Sequence, residues 1–263
     1  MENFKHTRYR VENGVAEITL CSADGLNTQS VESVKEWVAA VTRANEDDAV
    51  GAILFAAEGK GFSAGGNMEE LFLPRSSGKI PYDKNDPYTG GINLMSTDWV
   101  QMLRQSKPIV VAFNGFAVGG GVTLFLPADV LVASPRASFH FSFVKVGIVA
   151  EICSTKYLPA RVGFGRASEL LLSGRPVGGQ EAHDIGLVDY LYPEESLLDE
   201  ARKIAVNIAG NPAPMLRMTK ALLDQNSLET QLDKVWERES NALWRCFHME
   251  EHKAAIKSFL SED

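Results

Sequence analysis

Two unbroken apolar runs each end in a glycine-rich turn, and this pairing constrains the fold more than any other part of the chain. The first run, Ala49 to Gly59 (AVGAILFAAEG), leads into Gly61-Phe62-Ser63-Ala64-Gly65-Gly66-Asn67. The second, Ile109 to Gly115 (IVVAFNG), leads into Asn114 to Gly121 (NGFAVGGG). A strand that is apolar at every position suits a sheet covered on both faces. Ahead of the first run, Val31, Val34, Val38 and Val41 recur at helical spacing, with Trp37 beside them. Strand and helix in this alternation predict an α/β fold. Each glycine turn opens into a helical pattern, so its backbone N–H groups carry the partial positive charge of a helix start. Glycine also lets a ligand approach the backbone without a Cβ in the way. Either turn alone is equally a tight turn or a close packing point. Neither matches the dinucleotide fingerprint or the phosphate-binding loop.

The 263 residues are enough for one large domain or two small ones, and 45% are apolar, enough for a sizeable core. Tyr9 to Leu20 (YRVENGVAEITL) places Asn13-Gly14 between two short runs, which predicts a hairpin. Leu73 to Gly91 is rich in Pro, Gly, Ser and charge and is expected to be a long loop. A helical pattern resumes near Asn93 and stops at Lys107-Pro108. From Pro176 onward the chain is expected to be helical, with an amphipathic stretch over Pro214 to Asn226 and a helical pair over Leu228 to Leu260.

The formal net charge is -8, without a basic block, which argues against a nucleic-acid partner. No segment approaches the roughly 18 apolar residues of a membrane span. The opening MENFKHTRYRVENG has no apolar stretch typical of a secretory signal, and the ending FLSED is not the SKL address. Cys21, Cys153 and Cys246 are widely spaced and odd in number, so reduced thiols in a cytoplasmic protein are expected.

Taken together, Gly61 to Asn67 and Pro108 to Gly121 carry the two-part pattern G-F-S-A-G-x-[DN] and P-[IV]-[VI]-x-A-x-N-G-x-A-x-G-G-G. On these residues the chain resembles the crotonase (enoyl-CoA hydratase/isomerase) superfamily. Ala128 to Ser134, Ala137 to Ile148 and Ser173 to Pro193 resemble the family's following segments, and the likeness runs from Tyr9 to Leu260. The resemblance implies a crotonase (ClpP-like) fold of repeated β-β-α turns, with a core over residues 1–200 and a helical trimerisation region over 201–263. It implies an acyl-CoA thioester as substrate, no further cofactor, no metal, and a homotrimer or dimer of trimers. It also implies that the N–H groups of Gly66 and Gly120 form an oxyanion hole, and that Ala64, Gly65 and Asn67 contact the CoA.

The family's hydratases use two carboxylates, whose positions here hold Thr123 and Phe143, neither of which is an acid or base. One carboxylate appears instead in Val146 to Cys153 (VGIVAEIC), at Glu151. This phrase, with Leu158-Pro159 after it, resembles the peroxisomal-type 3,2-trans-enoyl-CoA isomerases, which place their catalytic glutamate at this position. The resemblance thus implies double-bond isomerisation with Glu151 as base and then acid. An apolar setting would raise its pKa. The rival readings are another enolate-forming member (a hydratase, decarboxylase or β-diketone hydrolase) and a non-catalytic acyl-CoA-binding subunit.

The chain departs from the family at Asn67, where Asp is usual, and at Glu69, where a lysine often meets the CoA phosphates. Lys60, Arg75 and Lys79 are candidate replacements for that lysine. His248 to His252 (HMEEH) matches a zinc pattern but reads as a solvated helix face. His140 is expected to be a packed histidine and Cys153 a buried thiol. Trp236, Leu243, Trp244 and Phe247 are expected to line an acyl pocket or a subunit contact.

Overall fold

The computed structural model describes residues 4–80 and 98–261. Its strands, in chain order, are β1 (Thr7–Glu12), β2 (Val15–Leu20), β3 (Ala52–Ala57), β4 (Ile109–Phe113), β5 (Phe116–Val118), β6 (Val130–Ala133), β7 (Ser138–His140), β8 (Pro176–Gly178) and β9 (Tyr190–Leu191). Its helices are α1 (Val31–Glu46), α2 (Leu73–Ser76), α3 (Trp99–Gln105), α4 (Gly120–Thr123), α5 (Ser154–Val162), α6 (Phe164–Ser173), α7 (Gly179–Asp184), α8 (Glu194–Ala209), α9 (Ala213–Asn226), α10 (Leu232–Cys246) and α11 (Glu250–Phe259).

Six strands form one sheet in the order β1-β2-β3-β4-β6-β9. Only β1 and β2 are antiparallel, joined by the expected hairpin, with Asn13 at φ 50° and Gly14 at φ 76° as a type I′ turn requires. A smaller sheet, β5-β7-β8, stands apart from it. The apolar runs are continuous because the large sheet is covered twice. Ile53, Phe55, Ile109, Val111 and Phe113 face one core, which α1 closes with Val34, Trp37 and Val41. Leu54, Val110, Ala112 and Val132 face the other, closed by Leu197, Ala201 and Ala205 of α8. Each large aliphatic or aromatic side chain buried this way contributes about 1.5–3 kcal/mol.

Two ion-pair groups dock the helices. Arg202 of α8 reaches Glu17 on β2 at 2.8 Å. Lys220 of α9 meets Asp129 at 2.7 Å, while Arg104 of α3 meets Asp224 at 2.9 Å. Helix α8 runs continuously through position 200 and packs on the sheet on both sides of it.

Two expectations need correction. The stretch from Leu73 starts as helix, because a π-helical turn over Met68–Phe72 runs into α2. Asn67 caps that turn, and Pro74 lies at the start of α2, where its missing N–H costs nothing. Residues 81–91 of the expected loop lie outside the described residues, as does the start of the pattern near Asn93. Helix α3 is capped by Asp98 and ends at Gln105, ahead of Lys107-Pro108. The region after Pro176 is not wholly helical. Strand β8 joins β7, and β9 extends the large sheet beside β6. At three and two residues, they are too short to show a period of their own.

Candidate active site

The two glycine turns are bonded to each other. Ser63 forms a parallel bridge with Ala117: the Ser63 N–H donates to the Phe116 carbonyl at 3.1 Å, and the Val118 N–H donates to the Ser63 carbonyl at 3.0 Å. Aromatic packing fixes the same junction. The Phe62 ring of the first turn lies tilted against Phe113, the end of β4, with centroids 4.5 Å apart, and edge-on to Phe125, just after α4, at 5.1 Å. Gly65 allows the closest approach. Its φ is 84°, and a Cβ there would stand 2.4 Å from the Val118 carbonyl oxygen.

This stitching sets two backbone donors beside one cavity. Gln29 bridges the first turn: its N–H donates to the Gly65 carbonyl at 2.8 Å, and its carbonyl accepts from Asn67 at 2.9 Å. In such a parallel bridge the flanking residues take the bonds, so the N–H of Gly66 points away from Gln29. Gly120 is the first residue of α4, where N–H groups have no partner inside the helix. Neither N–H finds an acceptor among the described residues. Both glycines line a cavity of about 120 Å³, with Ala64, Gly65, Met68, Phe72, Phe143, Val146, Ile148 and Glu151 in its wall.

Glu151 arrives on an extended segment anchored by alternate residues. Ile148, Ala150 and Ile152 pack on the core, and Val149 points to solvent. The segment then turns through two left-handed residues, Ile152 at φ 52° and Cys153 at φ 53°, before α5 begins. A β-branched residue in that region is a strained outlier, a feature that tends to mark functional sites. Glu151 therefore lies ahead of the helix, and its carboxylate has no ion-pair partner among the described residues. Burial in the cavity wall pushes its pKa up to about 7.

The left-handed pair makes a stability prediction. Cys153→Gly relieves the strain and is expected to be neutral or stabilising by up to about 1 kcal/mol. Cys153→Val, β-branched at the same φ, is expected to cost about 1–3 kcal/mol. Thermal denaturation of the two variants checks the contrast; equal melting temperatures would show that the turn is unstrained.

The cavity gathers Ala64, Gly65, Gly66, Gly120 and Glu151 from the residues singled out in the sequence. Asn67 is not in its lining, since its side chain accepts from the N–H groups of Glu69 and Glu70. Phe143 supplies an aromatic wall, while Thr123 is buried away from it and donates to the Gly119 carbonyl at 3.2 Å. His140 is part-buried and pairs with the Ser138 hydroxyl at 3.0 Å; burial lowers its pKa. Cys153 is exposed, contrary to expectation, because the left-handed turn holds it outside the core. His248 bonds the Trp244 carbonyl one turn back, and no group of three His, Cys, Asp or Glu suited to a metal occurs among the described residues. Arg75 is tied to the Leu71 carbonyl at 2.6 Å, whereas Lys60 and Lys79 are exposed. Trp236, Leu243, Trp244 and Phe247 are exposed and take no part in the cavity lining. Gln29, Met68, Phe72 and Ser142 were not legible as site residues, because only the packing of the two turns brings them to the wall.

Solved structures share this fold. An enoyl-CoA hydratase/isomerase from Cupriavidus metallidurans CH34 superposes with a TM-score of 0.86 at 26% identity, covering 100% of this chain and 96% of that one. The two sheets, paired turns and trailing helices are thus the crotonase fold. Residues 10–262 match the family model described as enoyl-CoA hydratase/isomerase, and the chain belongs to this family. Among its relatives, a protein named "Probable enoyl-CoA hydratase EchA12" from Mycobacterium tuberculosis is 33% identical over 83% of this chain and 78% of its own length. The 4-chlorobenzoyl coenzyme A dehalogenase-2 of an Arthrobacter species is 32% identical over 86% of this chain and 80% of its own.

Proposed function

We propose that this protein shifts the double bond of a 3-enoyl-CoA to give the 2-trans-enoyl-CoA, with Glu151 as the single acid/base. The observation that carries the reading is Glu151 itself, the one carboxylate among the described residues in the wall of the cavity that holds Gly66 and Gly120, with a pKa near neutrality. The ionised carboxylate removes a proton from C2. The N–H groups of Gly66 and Gly120 hold the thioester oxygen as the dienolate forms, each donor being worth about 2.7–4 kcal/mol. The protonated Glu151 then delivers the proton to C4, which leaves the carboxylate as it began. The apolar wall of Met68, Phe72, Val146 and Ile148 suits the acyl chain. Hydration is disfavoured, because Thr123 and Phe143 offer no second carboxylate to position a water. Ala64 and Gly65 are proposed to contact the CoA.

The test follows the conjugated 2-enoyl thioester formed from a 3-enoyl-CoA, with hydration of a 2-enoyl-CoA measured in parallel. Isomerisation is expected to be the faster reaction; dominant hydration or no isomerisation overturns the proposal. The pH dependence has a defined sign. The free enzyme needs Glu151 ionised, so kcat/KM is expected to rise tenfold per pH unit below about 7 and to level off above it. A flat profile across neutrality would exclude Glu151 as the base.

We further propose that α10 and α11 form the contact of a homotrimer or dimer of trimers, since Trp236, Trp244, Phe259 and Leu260 are exposed on them or just beyond. Light scattering of the purified protein reads the assembly directly, and a monomer would refute it.

A further inference from the structure

Gln29 connects the two glycine turns. Its backbone forms a parallel bridge with Gly66, and both its N–H and its carbonyl are bonded into the first turn. Its carboxamide lies against Gly120 of the second turn, where a Cβ built on the glycine would stand 2.4 Å from Oε1 and 3.0 Å from Nε2. Gln29 is 4% exposed and lines the cavity, yet its Nε2 finds no hydrogen-bond partner among the described residues. A buried amide N–H without an acceptor is destabilising, and leucine or methionine would fill the place without that cost. Two polar groups of the same wall are otherwise engaged or out of contact. The Ser142 hydroxyl is directed to the Gly174 carbonyl. The Glu151 carboxylate shares the cavity but accepts nothing from Nε2, and burial alone raises its pKa, whereas a donor on the carboxylate would lower it. The point nearest the amide is the proposed oxyanion position. An oxygen bonded to the Gly120 N–H lies about 3 Å from that nitrogen, beside the Cα that the carboxamide covers. The terminal torsion of glutamine is broad and roughly two-fold, so a half-turn decides which amide atom faces that point.

We propose that Gln29 is a catalytic residue whose NH2 donates to the thioester oxygen beside the N–H of Gly120, as a third, side-chain donor of the oxyanion hole. The bond strengthens as the oxygen gains charge in the dienolate, so it acts on the transition state more than on the bound ester. No reorganisation is needed beyond the amide half-turn, because the bridge to Gly66 already fixes the backbone of Gln29. This rests on the reading of the cavity as the site where a 3-enoyl-CoA is isomerised. Glu151 keeps its role as the single acid/base, since a carboxamide takes up no proton in this chemistry.

The test compares wild type, Gln29→Leu and Gln29→Met, with circular dichroism confirming the fold. The binding probe is 2,4-hexadienoyl-CoA, a conjugated ester with no saturated C4 to deprotonate. Donors on its thioester oxygen draw electron density along the conjugated chain and move its absorbance to longer wavelength. Wild type is expected to produce this red shift, and both variants a smaller one. In the same variants kcat for 3-hexenoyl-CoA is expected to fall about 10²-fold, with little change in KM and an unchanged pH midpoint of kcat/KM. A full red shift in a folded variant overturns the proposal. A full red shift with the pH midpoint moved upward would place the amide on the Glu151 carboxylate instead, and also overturns it. Unfolding of both variants would make Gln29 structural and overturn it as well. Wild type that binds and polarises the probe but does not isomerise would remove the isomerase reading, and the red shifts would still decide whether Gln29 is a donor. Failure of wild type to bind the probe would remove the acyl-CoA reading and this proposal with it.

Discussion

Glu151→Gln is expected to slow isomerisation of a 3-enoyl-CoA by about 10²–10⁴-fold while the thioester still binds. Glutamine keeps the shape and polarity of the side chain but can neither take the C2 proton nor return one at C4. The loss should therefore fall on kcat, with a smaller effect on KM. The same substitution carries an opposite effect on stability. Burial raises the pKa of Glu151 in the folded protein to about 7, above the 4.5 of an unburied glutamate. Between these values the folded state holds the proton and the unfolded chain releases it, so wild-type stability falls as pH rises through the window. At about pH 8 the ionised carboxylate costs the fold about 3 kcal/mol, by the size of the shift. Below the unfolded pKa that cost is absent. The glutamine variant is thus expected to be the more stable protein in urea at about pH 8 and to match wild type near pH 4. An active variant would remove Glu151 from the chemistry. An unchanged stability difference at both pH values would show that the carboxylate is not held in a desolvated setting.

Such a trade-off explains why some of the site could be read from sequence and some could not. The apolar runs of β3 and β4 were legible because a sheet covered by helices on both faces demands apolar residues at every position. The hairpin was legible because Asn13-Gly14 supplies two left-handed residues where a two-residue loop needs them. Glu151 stood out as one carboxylate in an apolar phrase. Its resemblance to a family motif gave it a role that the local sequence did not. Its raised pKa could only be expected, since the cavity wall it sits in is assembled from segments as distant as Phe72 and Phe143. Gln29 gave no local signal, because its position beside Gly120 depends on a bridge between segments far apart in the chain. The short strands β8 and β9 were missed for the same reason: their pairing partners, not their own residues, make them strands. Exposure of Cys153 depended on the two left-handed residues of its turn, which no glycine or asparagine announces.

Gly65→Ala is expected to cost about 2–5 kcal/mol of stability and to lower the isomerisation rate by up to about 10²–10³-fold. Two effects add to the first figure. The backbone at Gly65 has φ 84°, where an alanine is strained by about 1–3 kcal/mol. The new Cβ would also meet the Val118 carbonyl oxygen at 2.4 Å, and overpacking against backbone costs a similar amount. The oxygen belongs to β5, which cannot yield as a side-chain tip would, so the first turn must move away from the second. That motion separates the N–H of Gly66 from that of Gly120, and loss of one aligned oxyanion donor accounts for the expected rate. Gly165→Ala is the matched control. It lies in α6 with nothing within 4 Å of its would-be Cβ and is expected to be neutral or up to about 1 kcal/mol more stable. Urea denaturation and single-turnover isomerisation of both variants read the two effects separately. A destabilised Gly65→Ala that keeps the wild-type rate per folded molecule would mean that the contact between the turns serves the fold alone, and that the proposed oxyanion hole does not depend on their spacing.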